Sequence, residues 1–282
     1  GGISTTAITL TVNGVNDAPV VTLNTGGVTP GLTPVATGNV LANDTDAEGQ
    51  ALSVLSVRGV AGNVGAVVVG TYGTLVLNAD GSYVYTLNAT AANVIAIPPG
   101  QTRIDSFLHV VTDGAANVSS TLQITITGVN EGPVLVNDAR TIQEDAASAT
   151  TAVANVLTND SDPDGGVLSV TAINGNAAGV GAAVGGTYGA ITIAANGAYT
   201  YTLNNASPLV QALRVGQSVT DTFSYSVSDG QGGISTANVV VTVTGRNDGP
   251  TVVSETNVIV SGAPAVVGNV LANDSDIEGD AI

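Results

Sequence analysis

Acidic side chains recur in this chain at a spacing that suits the binding of a hard cation. The pattern Asp-x-Asp-x-Asp/Glu-Gly occurs three times, each time as alternate carboxylates followed by a glycine. Such carboxylates can converge on one ion around the glycine turn, and Ca²⁺ accepts about six to eight oxygen ligands in a flexible geometry. The pattern predicts these calcium ligands: Asp44, Asp46 and Glu48; Asp160, Asp162 and Asp164; Asp274, Asp276 and Glu278.

The acidic loops could also be EF-hands or solvated turns without a metal. They match the first half of an EF-hand, but the twelfth position holds Leu55 or Thr171 instead of Glu, which excludes that motif. The remaining alternative is an acidic, solvated turn without a metal. The threefold recurrence and the absence of lysine favour the metal, because clustered like charges destabilise a loop unless something neutralises them.

Oxygen ligands are also predicted beside the loops. Each repeat has an Asn-acid pair followed two residues later by Pro, which limits the freedom of the linker. Asp-Gly turns provide another acid, and an ordinary Asx turn is the alternative interpretation of both sets. The first repeat lacks acids matching Glu144 and Asp145, so its sites are expected to be weaker. These candidates are Asn16 and Asp17, Asn130 and Glu131, Asn247 and Asp248, with Asp113 and Asp229 in the turns.

The charge balance excludes several classes of partner. The 282 residues contain 22 Asp and Glu against five Arg, for a net charge of −17. Such a surface repels nucleic acid and anionic membranes and attracts cations. Without cysteine, disulfides and thiolate metal sites are excluded. No membrane span or signal peptide is predicted in this segment, because no long apolar run or basic leader is visible.

The acidic loops belong to a repeat of domain length. The spacing of roughly 115 residues is far above the roughly 20 to 50 residues of solenoid repeats, and it equals the usual size of an independent domain. The three linkers set the expected boundaries, and the chain is interpreted as a window on a longer array. We expect a last strand and linker over 1–17, full repeats over 18–131 and 132–248, and the start of another repeat over 249–282.

Strands must position these loops. Apolar residues alternate with polar ones, as in Phe223, Tyr225 and Val227, which predicts half-buried strands. Asp80-Gly81 and Asn196-Gly197 predict hairpin turns. The abundant Gly, Thr and Val predict an all-β sandwich of about seven strands in each repeat. At most one helical turn is expected, near 91–95 or 208–213.

Sandwich topology then suggests which ligands meet. If the acidic loop precedes the second strand, it should lie at the end of the outgoing linker, with the Asp-Gly turn at the opposite end. That arrangement would group ligands from successive repeats across a junction. The expected group is Asp44, Asp46, Glu48, Asn130 and Glu131 facing Asp229, with Glu144 and Asp145 joining the equivalent group of the second repeat.

Catalysis finds little support in the sequence. The single histidine, His109, corresponds to Tyr225 in an alternating strand, so it is interpreted as a packed core residue. A nucleophile with its base and orienting group is missing. Paired carboxylates can hydrolyse glycosides, but acids in repeated loops favour a repeated structural role. The sequence therefore predicts that the chain is not an enzyme.

A family resemblance supports the same fold. The stretches GTYGTLVLNADGSYVYTLN, DTFSYSVSDGQGG, TVTGRNDGP and NDTDAEG resemble VCBS repeats, which are cadherin-like bacterial domains. The resemblance covers nearly the whole chain. It implies an Ig-like or cadherin-like sandwich, Ca²⁺ at acidic loops and junctions, and membership of a large secreted adhesin or surface filament.

The expected function is mechanical. Stacked sandwiches stiffened by calcium would hold a distal adhesive region away from the bacterial cell, with neighbouring repeats of the same chain as the main partners. One alternative is a self-associating subunit of a matrix fibre or surface layer, built by pairing of strand edges between copies. Another is a glycan- or protein-binding module, and a hydrolase ranks last.

Overall fold

A computed structural model describes residues 2–145, 151–259, 261–262, 265 and 267–282, and describes the backbone alone at 151 and 152. It divides into two compact units, residues 1–129 and residues 130–282. Both units are all-β sandwiches with the same order of elements, as the repeated sequence requires. The finer repeat boundaries given above stay a prediction.

The first unit is built from eight strands and one helical turn. Strand β1 pairs with β8 in parallel, and the other paired strands run antiparallel. The two sheets have the orders β1-β8-β7-β3 and β2-β6-β5-β4. The elements are β1 Asn24–Val28, β2 Val35–Asn39, β3 Ser53–Val57, β4 Val67–Val69, β5 Gly73–Leu77, β6 Ser82–Leu87, α1 Ala92–Ile95, β7 Thr102–Thr112 and β8 Asn117–Thr127.

The second unit repeats this plan. Its sheets have the orders β9-β16-β15-β11 and β10-β14-β13-β12, again with one parallel pair, β9 with β16. Each unit also has a short 3₁₀ turn, at Ala61–Asn63 or Ala177–Gly179. The elements are β9 Asp138–Gln143, β10 Thr151–Asn155, β11 Ser169–Ile173, β12 Ala183–Gly185, β13 Gly189–Ile193, β14 Ala198–Leu203, α2 Pro208–Gln211, β15 Ser218–Ser228 and β16 Ile234–Thr244.

Alternation of apolar and polar residues places one face of each strand in the core. In β15, buried Phe223, Tyr225 and Val227 alternate with residues that are at most half-buried. The rings of Tyr201 and Phe223 pack at 6.2 Å between centroids. His109 is also fully buried, as predicted, and burial lowers its pKa. All nine aromatic side chains are at least half-buried, which leaves no exposed aromatic surface among the described residues.

A buried carboxylate ties the two sheets of each unit together. Asp221 on β15 accepts hydrogen bonds from the backbone N–H groups of Thr187, Tyr188 and Gly189 at 2.7, 3.0 and 3.0 Å. It also accepts one from the hydroxyl of Tyr201 at 2.7 Å. In the first unit, Asp105 accepts hydrogen bonds from the N–H groups of Thr71 and Tyr72 and from the hydroxyl of Tyr85. These bonds explain the repeated Gly-Thr-Tyr-Gly stretch, whose first glycine approaches the carboxylate too closely for a side chain.

The sequence predictions of local structure are mostly confirmed. Hairpin turns form at Gly81 and Gly197, with φ of 82° and 81°, and a single helical turn occurs at both expected places. Each unit has eight strands instead of about seven, because a three-residue edge strand is added. The prediction of a strand within 1–17 is wrong for the described residues 2–17, where Ile8, Leu10 and Val12 are exposed. The equivalent strands β8 and β16 are each held by pairing with the strand just before them in sequence.

Candidate metal centre

The acidic loops fold in the same way at all three positions. The middle acid of each loop accepts hydrogen bonds from the N–H groups two and four residues later. In the second loop, Asp162 Oδ1 accepts from Asp164 at 3.3 Å and from Gly166 at 2.8 Å. The glycine that follows the third acid has positive φ, for example 86° at Gly165. Asp162 Oδ2 lies buried without a hydrogen-bond donor. The equivalent acids are Asp46 and Asp276.

The first acid of each loop has another partner. Asp160 Oδ1 accepts a hydrogen bond from the N–H of Val136 at 2.8 Å, which fastens the loop to the segment after the linker. Its Oδ2 lies 3.4 Å from the hydroxyl of Tyr225. Both oxygens of this carboxylate thus have partners outside the acidic loop, and its role as a ligand stays a prediction. Asp44 and Asp274 make the equivalent 2.8 Å bonds to Thr22 and Val253.

Five side chains meet where the linker enters the second unit. We call them the front cluster: Asn130, Glu131, Asp162, Asp164 and Asp229. The N–H of Glu131 donates to Asp164 Oδ2 at 3.1 Å, and Asn130 Nδ2 donates to Asp229 Oδ2 at 2.8 Å. Gly166 brings the loop against the turn, because a side chain on it would lie within about 3 Å of both Asp162 and Asp229.

The front cluster contains more buried acceptors than donors. Asn130 Oδ1, Glu131 Oε2, Asp162 Oδ2 and Asp164 Oδ1 are buried without a hydrogen-bond donor. Burial raises the pKa of Asp164 and of Glu131, and neighbouring carboxylates add to the effect. Asp229 is the exception, since the hydrogen bond from Asn130 lowers its pKa. These four oxygens could supply part of the roughly six to eight oxygen ligands that Ca²⁺ takes.

The first unit has an equivalent but looser group. Asn16 Nδ2 donates to Asp113 Oδ2 at 2.9 Å, and the N–H of Asp17 lies 3.3 Å from Glu48 Oε1. Gln50 donates to Asn16 Oδ1 at 2.8 Å, so this oxygen is satisfied here, unlike that of Asn130. Hydrogen bonds led by that from the N–H of Ala116 lower the pKa of Asp113.

The predicted placement at opposite ends of the sandwich is therefore wrong. In both units the acidic loop and the Asp-Gly turn lie at the same end, where the incoming linker arrives. Asp229 meets Asn130 and the loop of its own repeat, and Glu48 meets Asp17. The reason is the isolated bridge between Val134 and Ser161, which draws the loop alongside the residues that follow the linker.

A second group forms at the far end of the second unit. We call it the rear cluster: Glu144, Asp145, Asp248 and Glu278. Glu144 is fully buried and accepts from the N–H of Arg246 at 2.6 Å, while Glu278 accepts from the N–H of Asp248 at 2.5 Å. Glu144 Oε2, Asp248 Oδ2 and Glu278 Oε2 are buried without a donor. The structure thus brings Glu144 and Asp145 to the linker acid, whereas Asn247 donates only to the carbonyl of Asp248.

The first unit lacks a rear cluster. After β1, at the positions equivalent to Glu144 and Asp145 after β9, it has Pro30 and Gly31, neither of which offers a carboxylate. Gly31 and Asp145 share the left-handed backbone conformation, with φ of 70° and 51°. At this position the two units therefore share a backbone conformation, and the second unit differs by carrying two carboxylates.

The donor sets fit a hard, oxygen-preferring cation. Within the described part of the chain, no three His, Cys, Asp or Glu side chains are arranged so that they could hold a metal ion by themselves. The two clusters gather carboxylate oxygens, joined in the front cluster by the amide oxygen of Asn130, and such oxygens are typical calcium ligands. Nitrogen and sulfur ligands are absent from the described clusters, which disfavours zinc.

Acidic pH should stabilise the metal-free rear cluster. Burial, aided by the Asp145 carboxylate, raises the pKa of Asp248 from 3.8 to about 6, and burial also raises the pKa of Glu144. At these two carboxyls the folded state therefore binds protons more tightly than the unfolded state, and their contribution to stability falls as pH rises through this window. We expect the melting temperature of the chelator-treated chain to fall between about pH 4 and about pH 7. A melting temperature that rises over this range would contradict the assignment.

Comparison with known proteins gives related sequences and folds. The chain is 30% identical over 231 residues to the calcium-binding lectin RapA2 of Rhizobium johnstonii, covering 76% of this chain and 92% of that protein. Domains EC1-2 of human protocadherin-24 match with a TM-score of 0.45 at 15% identity, over 83% of this chain and 100% of theirs. An endo-fucoidan hydrolase of glycoside hydrolase family 107 matches with a TM-score of 0.28 at 17% identity. The match covers 81% of this chain and 29% of the hydrolase. Structural likenesses of this size carry no argument about function.

The family assignment rests on the sequence of both units. Residues 16–128 and 130–245 each match the model of the bacterial cadherin-like domain. This is a non-enzymatic module with an adhesion-related role at the cell surface or outside the cell. No helix among the described residues is long and apolar enough to cross a bilayer. The finer resemblance to VCBS repeats stays a prediction. On these matches, the chain belongs to the bacterial cadherin-like domain family.

Proposed function

We propose that the chain is an extender segment of a large bacterial adhesin or surface filament, in which calcium stiffens the connections between successive sandwich domains. The observation that supports this most is the set of buried oxygens without donors in the front and rear clusters. Polar groups buried without partners cost about 1 to 3 kcal/mol each, and carboxylates cost more. A bound cation removes that cost and links the linker to the domain.

The proposed ligands of the front cluster are its four unpartnered oxygens. Glu131 and Asn130 belong to the linker, Asp162 and Asp164 belong to the acidic loop, and Asp229 orients Asn130 through its hydrogen bond. An ion bound by both segments would fix the linker to the loop. In the rear cluster, Glu144, Asp248 and Glu278 would do the same for the following linker.

Neutralisation of charge is the second part of the proposal. The rear cluster holds four acids, and the two arginines beside it, Arg214 and Arg246, offset only part of that charge. Carboxylates a few ångströms apart repel one another, and the repulsion is stronger in a partly buried site than in water. Without the ion, this repulsion would weaken the contact between linker and loop wherever no other contact holds them together. Calcium would therefore act as a switch between a flexible and a stiff array.

Small-angle X-ray scattering of the 282-residue chain tests this function. On titration from chelator to millimolar calcium, we expect the maximum dimension of the chain in solution to increase. The range of conformations that fits the scattering should narrow, and the mass should stay that of a monomer. A scattering profile unaffected by calcium would contradict the extender. A mass that grows with calcium would instead support lateral association of copies into a fibre or surface layer.

Carbohydrate binding is a second candidate, favoured by the similarity to the calcium-binding lectin RapA2. The described residues offer no exposed aromatic ring for stacking on a sugar. Binding would therefore depend on polar groups or on a bound calcium ion, whose open positions can accept sugar hydroxyls. A glycan array probed with the whole chain, with calcium and with chelator, tests this candidate. Absence of binding under both conditions would exclude it.

A further inference from the structure

An arginine contacts the acidic loop that follows the second sandwich. Arg214, just after α2, donates from both Nε and Nη2 to the carbonyl oxygen of Glu278, with the Nε bond at 2.8 Å. The next residue, Gly279, has φ of 75° and no side chain, and a Cβ there would lie 3.3 Å from Nη2. The guanidinium therefore lies directly on the backbone of the loop over residues 274–279.

The backbone of Arg214 is held in place. Its N–H donates to Gln217 Oε1 at 3.0 Å, and its carbonyl accepts from the N–H of Gln217 at 2.9 Å. Gly245 donates to the carbonyl of Gln217 at 3.0 Å and leaves no space for a side chain against Arg214. The side chain thus projects from a closed turn, which reduces the conformational entropy lost when it binds the loop.

The first unit has the same turn without the arginine. Gln101 donates to the carbonyl of Pro98 at 2.9 Å, and Gly128 donates to the carbonyl of Gln101 at 2.8 Å. Pro98 stands at the position of Arg214 and has no hydrogen-bond donor. The arginine is therefore an addition to a shared scaffold, and it occurs in the unit that also carries the rear cluster.

The contact does not require a metal ion. It joins a side-chain cation to a backbone carbonyl, so it stays available when the carboxylates of the rear cluster are unneutralised. A guanidinium is always protonated near neutral pH and offers several donors in a fixed plane. It also brings one positive charge next to Glu278, which reduces the repulsion among the four acids.

We propose that Arg214 is a metal-independent latch, which holds the 274–279 loop against the second sandwich when calcium is absent. The latch rests on the proposed function in one respect only: calcium would bind to a rear cluster whose loop Arg214 already holds in place. The partner surface is the acidic loop of the following repeat, and the residue that selects it is Arg214.

Hydrogen exchange followed by mass spectrometry on the 282-residue chain tests the latch. The reporter is the peptide over 274–282, in which the N–H groups of Gly279 and Asp280 donate to Asp276. In chelator, we expect Arg214→Gln to exchange about tenfold faster than the wild type, equivalent to about 1.4 kcal/mol. Arg214→Lys should lie in between, because it keeps the charge and loses the planar pair of donors.

Arg140→Gln is the matched control, since it removes the same charge from an exposed position on β9 of the same unit. It should exchange like the wild type. Equal exchange of Arg214→Gln and wild type in chelator would overturn the latch. If the latch holds but calcium changes protection nowhere in the chain, the extender proposal fails and the latch stands, so the two failures are distinguishable.

Discussion

Asp221→Ala should destabilise the second unit by about 4 kcal/mol, because four donors lose their buried acceptor at once. Asp221 is only 4% exposed and accepts three backbone N–H groups and the Tyr201 hydroxyl. The Tyr201 hydroxyl is buried, and the three backbone bonds are partly buried, so these donors lose most when the carboxylate is removed. Urea unfolding of the whole chain, followed by circular dichroism, should therefore show one of two transitions moving to much lower urea while the other is unchanged.

Tyr201→Phe is the graded control for this buried bond. It removes the hydroxyl that donates to Asp221 at 2.7 Å and keeps the ring that packs on Phe223. We expect a loss of about 1 kcal/mol, the usual value of one hydrogen bond. If Asp221→Ala cost no more than Tyr201→Phe, the backbone bonds to the Gly-Thr-Tyr-Gly stretch would contribute little, contrary to the account given above.

Asp162→Asn should change stability in opposite directions with and without calcium. Asn keeps the Oδ1 that accepts from Asp164 and Gly166 but removes a charge from the front cluster. In chelator, less repulsion should raise the free energy of unfolding by up to about 1 kcal/mol. In calcium at about one hundred times its Kd, loss of the ligand should lower it by as much as about 2.7 kcal/mol.

Glu255→Gln is the matched control, because it removes one charge outside the front and rear clusters and outside the three acidic loops. Its side chain is exposed. The rise in melting temperature on adding calcium should equal that of the wild type. The same rise in Asp162→Asn would show that the front cluster does not bind the ion.

The sequence was sufficient to predict the local structure, since local structure depends on local signals. Alternation in β15 and the Asn196-Gly197 turn were enough to place strands and hairpins, and the resemblance supplied the sandwich. His109 was placed in the core by its equivalence to Tyr225. These inferences need only neighbouring residues and the repeat. The repeat boundaries at the three linkers were inferred in the same way and stay a prediction.

Long-range pairing could not be inferred in the same way. The end of the sandwich at which the acidic loop lies depends on the bridge between Val134 and Ser161, which no periodicity reveals. Asp221 and Asp105 were within quoted motifs, yet their role depends on a stretch more than 30 residues away. Equivalence between repeats was the available signal, because a charged residue kept at a buried position in both units requires buried partners.

The arrangement of the front cluster has a consequence for how such proteins vary in length. The linker pair Asn130 and Glu131, the loop with Asp164, and the turn with Asp229 all lie within one contiguous stretch of chain. Deleting or duplicating this whole stretch would remove or add a complete front cluster. Recombination within the gene could therefore shorten or lengthen an array of such domains without leaving an incomplete front cluster.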